Sequence, residues 1–308
     1  MKILIVCSYK EQFPAHMTPF VEEQGNMLKE QGLEVDYFTI RGNGVWGYLK
    51  NYPALKKKIK ATRYDIVHAH FGLSGALAVM QRTVPVVITF HNGETLSVKS
   101  NIISSLASLF SAYNIYVAQH IYDFCYFKNK NKSMILPCGI DIEKTQLIPQ
   151  AEAKVKMNLP SDKINILFGG NFLNLRKNVK LANEALALLQ RNDINLIELK
   201  GFSREEVNTL LCACDLMLLP TKSEGSPQIV KEAMACNCPI VVTDVADIAQ
   251  ILNKVEGTYL TSFAPEDVAE KIRQAIAFGK RTNGRENIQR FDNKKIVKEI
   301  LALYNKII

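Results

Sequence analysis

The sequence predicts an α/β protein made of two doubly wound domains. Its length of 308 residues favours two domains over one. Short β-branched runs alternate with amphipathic stretches, and the runs are apolar throughout, as is typical of parallel strands covered by helices on both faces. The polar stretch 142–159 interrupts this alternation, with Pro149 inside it and Pro160 directly after it. We therefore expect one domain over residues 1–150 and another over residues 151–290.

The first domain is expected to contain six strands with helices between them. Runs rich in valine and isoleucine place the strands at residues 2–8, 33–40, 65–70, 85–91, 114–119 and 133–137. Apolar residues spaced three and four apart predict helices, for example over residues 18–31, 73–81 and 101–111. Ligands of such sheets bind outside the carboxyl ends of the strands, so the loops after the strands are the expected places for a site.

A second alternating series and a tail follow. Its strands are predicted at residues 164–168, 195–200, 215–220, 239–243 and 258–261. Its helices are predicted at residues 179–191, 204–213, 227–236 and 265–278. The tail from residue 293 to residue 307 has apolar residues at helical spacing and is expected to form a single amphipathic helix.

The formal net charge of +8 is spread along the chain, with two local basic clusters. They are Lys56-Lys57-Lys58 with Lys60, and Lys128 with Lys130 and Lys132. Each cluster is either a solvated surface or a contact with an anionic membrane surface or a pyrophosphate-bearing acceptor. No nucleic-acid recognition motif accompanies the charge, so no nucleic-acid partner is expected.

Compartment and metal content can be predicted from apolar runs and cysteines. No apolar run approaches the length of a membrane span, and the run after Met1-Lys2 is too short for a signal peptide. The seven cysteines form no Cys-x-x-Cys pair of the kind that binds zinc. We expect a protein without a structural zinc site, either free in the cytoplasm or at the inner face of the membrane.

The stretch 223–235 combines a loop with the start of a helix and carries two glutamates. Ser226 is the predicted N-cap and Pro227 the predicted first helical residue. The N–H groups and the positive dipole of that helix start suit a phosphate group. Glu224 in the loop and Glu232 in the helix could bind hydroxyl groups, as acidic residues bind ribose in dinucleotide-binding folds. The alternative is a loop glutamate in solvent and a helix glutamate in a surface ion pair.

A second candidate phosphate loop follows the strand at residues 164–168. It begins with a glycine pair ending in Gly170, which lets the backbone approach a phosphate closely. Arg176 and Lys177 stand just before the next helix and could neutralise a diphosphate. A tight turn with Asn174 or Asn178 as a plain helix cap would account for the same residues.

Three histidines lie on or beside strands of the first domain. His91 ends a strand and precedes a turn-prone Asn-Gly pair, so it is either a structural residue or part of a site in a strand-end loop. His68 and His70, two residues apart on one strand, point to the same face. We interpret one or both of them as packing or hydrogen-bonding residues.

The stretch from Glu224 to Glu232 closely resembles the Glu-x7-Glu motif of glycosyltransferase family 4. Small residues follow Glu232, and a strand-like run comes after them, Cys238-Pro239-Ile240-Val241-Val242, as in that motif. Four further stretches agree in order: 66–71, 89–91, 136–141 and 170–178. The resemblance covers nearly the whole chain. It implies the GT-B architecture, in which two Rossmann-like domains face each other across a cleft, and it implies that a C-terminal helix over residues 291–308 packs back on the N-terminal domain.

The resemblance also implies catalytic roles. Glu224 would contact the donor sugar, Lys177 would stabilise the departing diphosphate, and His91 would approach the donor sugar from the opposing domain. Transfer would retain the anomeric configuration, with the leaving phosphate helping to take the proton of the acceptor. No protein nucleophile and no metal ion are then expected.

The implied donor-binding residues lie in the second domain. Glu232 would bind the ribose hydroxyls of the donor nucleotide, and Phe202 is either a shelf for the base or a core residue. Asn171 stands where many relatives have arginine, and Arg176 could take its place. The full set is Glu232, Gly170, Asn171, Arg176, Gly225, Ser226, Pro227 and Phe202.

The implied function is sugar transfer in the biosynthesis of a surface polysaccharide or glycolipid. The N-terminal domain would be the acceptor side, and residues 151–290 would bind the nucleotide sugar. The donor would be a UDP- or GDP-linked sugar acting as co-substrate without a separate cofactor, and the acceptor a glycan or a lipid pyrophosphate. The alternatives are a sugar-nucleotide epimerase of the same fold and a non-catalytic subunit that binds a nucleotide sugar.

Overall fold

The computed structural model describes residues 1–93 and 97–308 and divides the chain into two compact units. The first unit consists of Met1–Cys138 together with Asn293–Ile308, and the second consists of Gly139–Asp292. The division therefore falls at Cys138 and not at residue 150. The stretch 142–159, predicted as an irregular linker, is part of the second unit because its helix and its apolar residues pack on that unit's core.

The first unit is a parallel sheet with helices between its strands. Its strands are β1 (Lys2–Ser8), β2 (Glu34–Ile40), β3 (Ile66–His70), β4 (Val86–Phe90), β5 (Tyr113–Tyr116) and β6 (Ser133–Ile135). Its helices before residue 139 are α1 (Pro19–Glu30), α2 (Gly44–Leu49), α3 (Tyr52–Ala61), α4 (Gly72–Val79), α5 (Val98–Phe110) and α6 (Gln119–Phe124). The sheet order is β2-β1-β3-β4-β5-β6, and every pairing is parallel.

The second unit repeats this plan. Its strands are β7 (Ile164–Phe168), β8 (Ile194–Glu198), β9 (Leu216–Leu219), β10 (Ile240–Thr243) and β11 (Thr258–Thr261). Its helices are α7 (Gln150–Lys156), α8 (Val179–Ala187), α9 (Arg204–Ala213), α10 (Gln228–Ala235), α11 (Ile248–Ile251), α12 (Pro265–Phe278) and α13 (Gly284–Asn287). The sheet order is β8-β7-β9-β10-β11, again all parallel. The strand order reverses between β7 and β9, which is where doubly wound sheets bind their ligands.

The tail helix α14 (Asn293–Ile307) completes the core of the first unit. One face of α14 is buried, and it packs in the same cluster as Ile3 and Ile5 of β1. The buried apolar residues of this face are Ile296, Val297, Ile300, Leu303 and Tyr304. The predicted amphipathic pattern of the tail therefore reflects burial within the first unit.

Candidate active site

The loops that follow β7 and β9 flank the switch point of the second sheet. The loop after β7 runs from Gly169 to Asn178, and the loop after β9 runs from Pro220 to Pro227. A backbone hydrogen bond ties the loops together, from the Lys222 N–H to the carbonyl oxygen of Arg176 at 2.9 Å. The two stretches that the sequence singled out are thus neighbours at one edge of one sheet.

Lys177 and Glu224 form an ion pair across these two loops. The Lys177 ammonium donates to Oε1 of Glu224 at 2.7 Å, and the Thr221 hydroxyl donates to the same oxygen at 2.9 Å. Thr221 is fully buried, and the Glu224 side chain is only 8% exposed. The carboxylate is therefore held in one position with an adjacent cation, at the edge where a ligand would bind.

Gly170 makes room for the Lys177 side chain. A Cβ atom at Gly170 would lie 2.7 Å from Cγ and 3.0 Å from Cδ of Lys177, which is too close for either atom. The absence of a side chain at this position therefore lets the aliphatic part of Lys177 cross the loop and reach Glu224. Glycine is therefore required here to make room for Lys177, in addition to letting the backbone approach a phosphate as the sequence suggested.

The helix after Glu224 begins one residue later than predicted. Pro227 is the N-cap and α10 starts at Gln228, whereas the sequence placed the cap at Ser226 and the first helical residue at Pro227. The Ser226 hydroxyl does not cap the helix; it accepts a hydrogen bond from the Lys231 ammonium. The first N–H groups of α10 have no partners within their own helix, as at every helix start, and Gly225 and Pro227 beside them are buried.

Lys231 is a site residue that the sequence analysis missed. Its side chain is fully buried, and its ammonium lies 5.1 Å from the ring centroid of Phe291. A lysine inside a helix is ordinarily taken as solvent-exposed, yet Lys231 stands three and four residues before the buried Met234 and Ala235. That helical spacing places it on the buried face and could have revealed it.

Glu232 lies on the more exposed side of α10. Its side chain is 22% exposed, and Oε1 lies 3.8 Å from Nη1 of Arg204 at the start of α9. Both sequence interpretations therefore meet here, because the carboxylate is in a surface ion pair and is also accessible to a ligand.

The remaining predicted donor-binding residues have mainly structural contacts. The Asn171 side chain accepts the N–H of Leu173 at 2.7 Å and so closes its own turn. Phe202 is partly buried and packs against the core of the second unit, as the core interpretation expected. Asn178 occupies the N-cap position of α8 with a left-handed φ of 61° and makes no side-chain cap hydrogen bond.

His91 lies in the first unit, in a stack of histidine rings. Its Nε2 is 3.0 Å from Nδ1 of His70, its Nδ1 is 3.6 Å from Sγ of Cys138, and Phe20 and Phe71 flank its ring. Burial lowers the pKa of His91 to about 3, with a further contribution from nearby His68. His91 is therefore held as a neutral imidazole.

His68 and His70 form the buried part of this stack. His68 bonds the Tyr304 hydroxyl at 2.5 Å through Nδ1 and the Thr89 hydroxyl at 2.7 Å through Nε2. Burial lowers the pKa of His68 to about 3, and it lowers the pKa of His70 well below the ordinary value. Within the described residues, Nε2 of His70 is buried without a hydrogen-bond partner. The pair are hydrogen-bonding core residues, and His68 joins β3 to α14.

Residues 1–93 and 97–308 contain neither a metal-binding cluster nor a membrane-spanning helix. No group of three or more histidine, cysteine, aspartate or glutamate side chains is placed to hold a metal ion. No helix in this part of the chain has the length and apolar content needed to cross a bilayer.

The second sheet places its two tied loops at the switch point, where doubly wound sheets bind their ligands, and comparison with protein families identifies the family of the chain. Residues 17–144 match the family described as Glycosyltransferase Family 4, and residues 182–277 match Glycosyl transferases group 1. The chain belongs to the family 4/group 1 glycosyltransferases. The family predicted from the Glu-x7-Glu stretch is thereby confirmed.

Similar proteins have been described in several organisms. An uncharacterised glycosyltransferase of Methanocaldococcus jannaschii is 26% identical over 290 residues, covering 84% of this chain and 81% of that protein. The UDP-Gal:alpha-D-GlcNAc-diphosphoundecaprenol alpha-1,3-galactosyltransferase of Escherichia coli is 22% identical, covering 64% of this chain and 62% of that protein. The N,N'-diacetylbacillosaminyl-diphospho-undecaprenol alpha-1,3-N-acetylgalactosaminyltransferase of Campylobacter jejuni is 30% identical, covering 34% and 30%.

Solved structures share the whole fold. Sucrose-phosphate synthase from Thermosynechococcus elongatus superposes with a TM-score of 0.84 at 17% identity, covering 100% of this chain and 99% of that one. Anabaena HepE in complex with UDP-glucose superposes with a TM-score of 0.77 at 17% identity, covering 99% and 100%. These similarities confirm the predicted GT-B fold.

Proposed function

We propose that this glycosyltransferase moves a sugar from a nucleoside-diphosphate donor to a lipid-linked diphosphate glycan, in the assembly of a surface polysaccharide or glycolipid. Two relatives support the acceptor class, because their names specify diphosphoundecaprenol acceptors. The donor class is supported by HepE, which was solved with UDP-glucose, and by the UDP-Gal in the name of the Escherichia coli relative.

The observation that carries the proposal is the Lys177–Glu224 pair at the switch point of the second sheet. The 2.7 Å contact holds an ammonium group between the loop after β7 and the loop that leads into α10. In the donor complex the Lys177 ammonium turns to the diphosphate, where negative charge grows as the bond to the sugar breaks. Glu224, still held by Thr221, then accepts hydrogen bonds from hydroxyl groups of the donor sugar.

Charge neutralisation by the protein makes a metal ion unnecessary in this proposal. Lys177 and the start of α10 both present positive charge at one edge of the sheet. A helix N-terminus carries roughly half a positive elementary charge, and its free N–H groups bind phosphate oxygens directly. The donor diphosphate would thus meet one full and one partial positive charge from the protein, without a metal ion.

Glu232 is proposed to bind the ribose. It lies a little over one turn along α10 from the diphosphate end, and its carboxylate is partly exposed. Its 3.8 Å contact with Arg204 is long for an ion pair and weak at a partly exposed site. Exchange of that contact for two ribose hydroxyls therefore costs little.

The proposed transfer retains the anomeric configuration and uses no protein nucleophile. Glu224, with Thr221 bonded to its Oε1, acts as an acceptor for hydroxyl groups of the donor sugar. The bond between the anomeric carbon and the diphosphate oxygen breaks, and the bond to the acceptor oxygen forms on the same face. The acceptor proton passes to the leaving diphosphate, so no further base is required.

One experiment combines binding with turnover. We expect either UDP or GDP to raise the melting temperature selectively, and Glu232→Gln to reduce that shift while Arg204→Gln, its ion-pair partner, keeps it. At a ligand concentration one hundred times Kd, the stabilisation is about 2.7 kcal/mol. With the matching nucleotide sugar and a lipid diphosphate glycan, proton NMR of the product should show the anomeric configuration of the donor.

Other outcomes separate the alternatives. Nucleotide binding without turnover in the presence of acceptor would indicate a non-catalytic subunit. Conversion of the donor sugar without acceptor would indicate an epimerase. An inverted product would contradict the proposed same-face reaction.

A further inference from the structure

Helix α5 of the first unit is amphipathic in the reverse sense. Its buried residues are small or polar: Asn101, Ser104, Ser105, Ala107 and Ser108. Its exposed side carries large apolar residues: Val98, Ile102, Leu106, Leu109 and Phe110. A helix on the surface of a water-soluble domain ordinarily buries its apolar stripe and exposes its polar one. The exposed stripe of α5 therefore needs a partner outside the unit.

The buried polar residues of α5 are hydrogen-bonded to a neighbouring segment of the chain. Asn101 donates to the carbonyl oxygen of Phe124 at 2.8 Å, and Ser108 donates to that of Phe127 at 3.1 Å. Ser105 accepts the N–H of Tyr126 at 3.1 Å. These bonds fix the segment 124–127 beside the helix.

The segment so fixed carries further exposed aromatic side chains beside the helix. Phe124 is 52% exposed and Phe127 is 43% exposed. We call the exposed residues of α5 together with these two the α5 face: Val98, Ile102, Leu106, Leu109, Phe110, Phe124 and Phe127. Exposed apolar residues occurring singly need no explanation, but a contiguous group marks a site of interaction.

The surroundings of the α5 face are basic. The guanidinium of Arg82 lies 4.4 Å from the ring centroid of Phe110. The ammonium of Lys128 bonds the carbonyl oxygens of Tyr122 and Asp123, at 3.0 and 2.8 Å, immediately before Phe124. From residue 97 to residue 135 the sequence has four lysines, at positions 99, 128, 130 and 132, and a single acidic residue, Asp123.

We propose that the α5 face docks on the surface of an anionic lipid bilayer. Apolar and aromatic side chains would enter the boundary between head groups and acyl chains, while the lysines and Arg82 contact anionic head groups. A second copy of the chain is a poorer occupant, because pairing two such faces would bring two basic rims together. The proposal rests on the composition of this surface and does not depend on the proposed sugar transfer.

The sequence suggested either basic cluster as a membrane contact, and the α5 face agrees with one of the two. The Lys56 cluster lies on α3, whose apolar residues Leu55 and Ile59 are buried. The cluster of Lys128, Lys130 and Lys132 is the one that accompanies an exposed apolar surface.

Vesicle binding tests the proposal. The full chain should co-sediment with vesicles of phosphatidylcholine and phosphatidylglycerol, more weakly with phosphatidylcholine alone, and less as salt is raised. Ile102→Ser/Leu106→Ser should lower the partition coefficient about tenfold or more, because two exposed apolar groups are lost. Lys130→Glu should lower it about fivefold or more. The five side chains changed in these variants and in the control below are all exposed, so folding should persist. The nucleotide-induced thermal shift checks this.

A matched control uses exposed apolar residues of the second unit. Val155 and Leu188 are 80% and 42% exposed, and Val155→Ser/Leu188→Ser should bind vesicles like the unaltered chain. The proposal is overturned if the chain ignores anionic vesicles or if the control variant loses binding equally. It is also overturned if light scattering shows a dimer that Ile102→Ser/Leu106→Ser dissociates, with no vesicle binding. Loss of vesicle binding with an intact nucleotide shift would leave the proposed transfer unaffected.

Discussion

Lys177 shows how a site residue can depend on the absence of another side chain. The ammonium reaches Glu224 only because the stem passes over Gly170, where a Cβ atom would lie 2.7 Å from Cγ. The sequence predicted Gly170 and Lys177 for a phosphate site, on the grounds of loop position and charge. The direct contact between these two residues could not be predicted, because it depends on how the loop between them folds.

Gly170→Ala should therefore act through Lys177. We expect kcat to fall by about tenfold to a hundredfold, equivalent to about 1.4–2.7 kcal/mol, as the ammonium is displaced from the diphosphate. Steady-state kinetics on Gly170→Ala, Lys177→Ala and the double variant form a cycle. In the Lys177→Ala background the alanine should have little further effect, and two full additive losses would show that Gly170 acts by another route.

Elements with long, regular patterns were predicted well, and short ones were not. Arg204–Ala213, Pro265–Phe278 and Asn293–Ile307 have the bounds that helical spacing predicted. Short helices such as Gly44–Leu49 and Gln119–Phe124 were missed, because periodicity needs a longer window to be distinguished from chance. The reversed face of α5 was also beyond prediction, since its pattern looks the same whichever stripe is buried.

Helix α14 is expected to contribute strongly to the stability of the first unit. Ile300 is 2% exposed in the cluster that contains Ile3 and Ile5, so Ile300→Ala should cost about 2–5 kcal/mol of unfolding free energy. Urea denaturation measures this loss. Ala302→Ser, at an exposed position of the same helix, should change the value by less than about 0.5 kcal/mol. Equal small effects at both positions would mean that α14 is not part of a cooperative core.

At the scale of the whole molecule, the buried histidines connect stability to pH. The pKa of His68 falls from 6.5 to about 3 on burial, so between these values the unfolded chain binds a proton that the folded chain does not. Stability should therefore decline as the pH falls from 6.5 towards 3, by about 1.4 kcal/mol per pH unit for this group. His70 and His91, whose pKa values are also lowered, add to the slope.

Denaturation measured across this pH range should identify the His68 contribution. His68→Gln should reduce the slope by about 1.4 kcal/mol per pH unit. Tyr304→Phe removes the 2.5 Å hydrogen bond but not the titrating group, so it should lower stability without changing the slope. An unchanged slope in His68→Gln would mean that His68 is protonated in the folded protein.

The two-unit plan of the molecule was predictable because each half repeats the same alternation, and family comparison agrees with it. The exact division was not, since Pro149 and a polar stretch were taken as a boundary. Those residues lead into α7, whose Ala153 is fully buried in the core of the second unit. A polar stretch seen in sequence does not reveal the core against which its few apolar residues pack.

The tail helix has a consequence for synthesis on the ribosome. The first unit needs residues 293–308, which are translated after the whole of the second unit, whereas the second unit is continuous from Gly139 to Asp292. The residues before Gly139 therefore cannot complete their core until α14 packs beside Ile3 and Ile5, whereas the second unit can already fold. We therefore expect the second unit to finish folding before the first, although the first is translated earlier. A chaperone would be needed most while the first unit is still without α14.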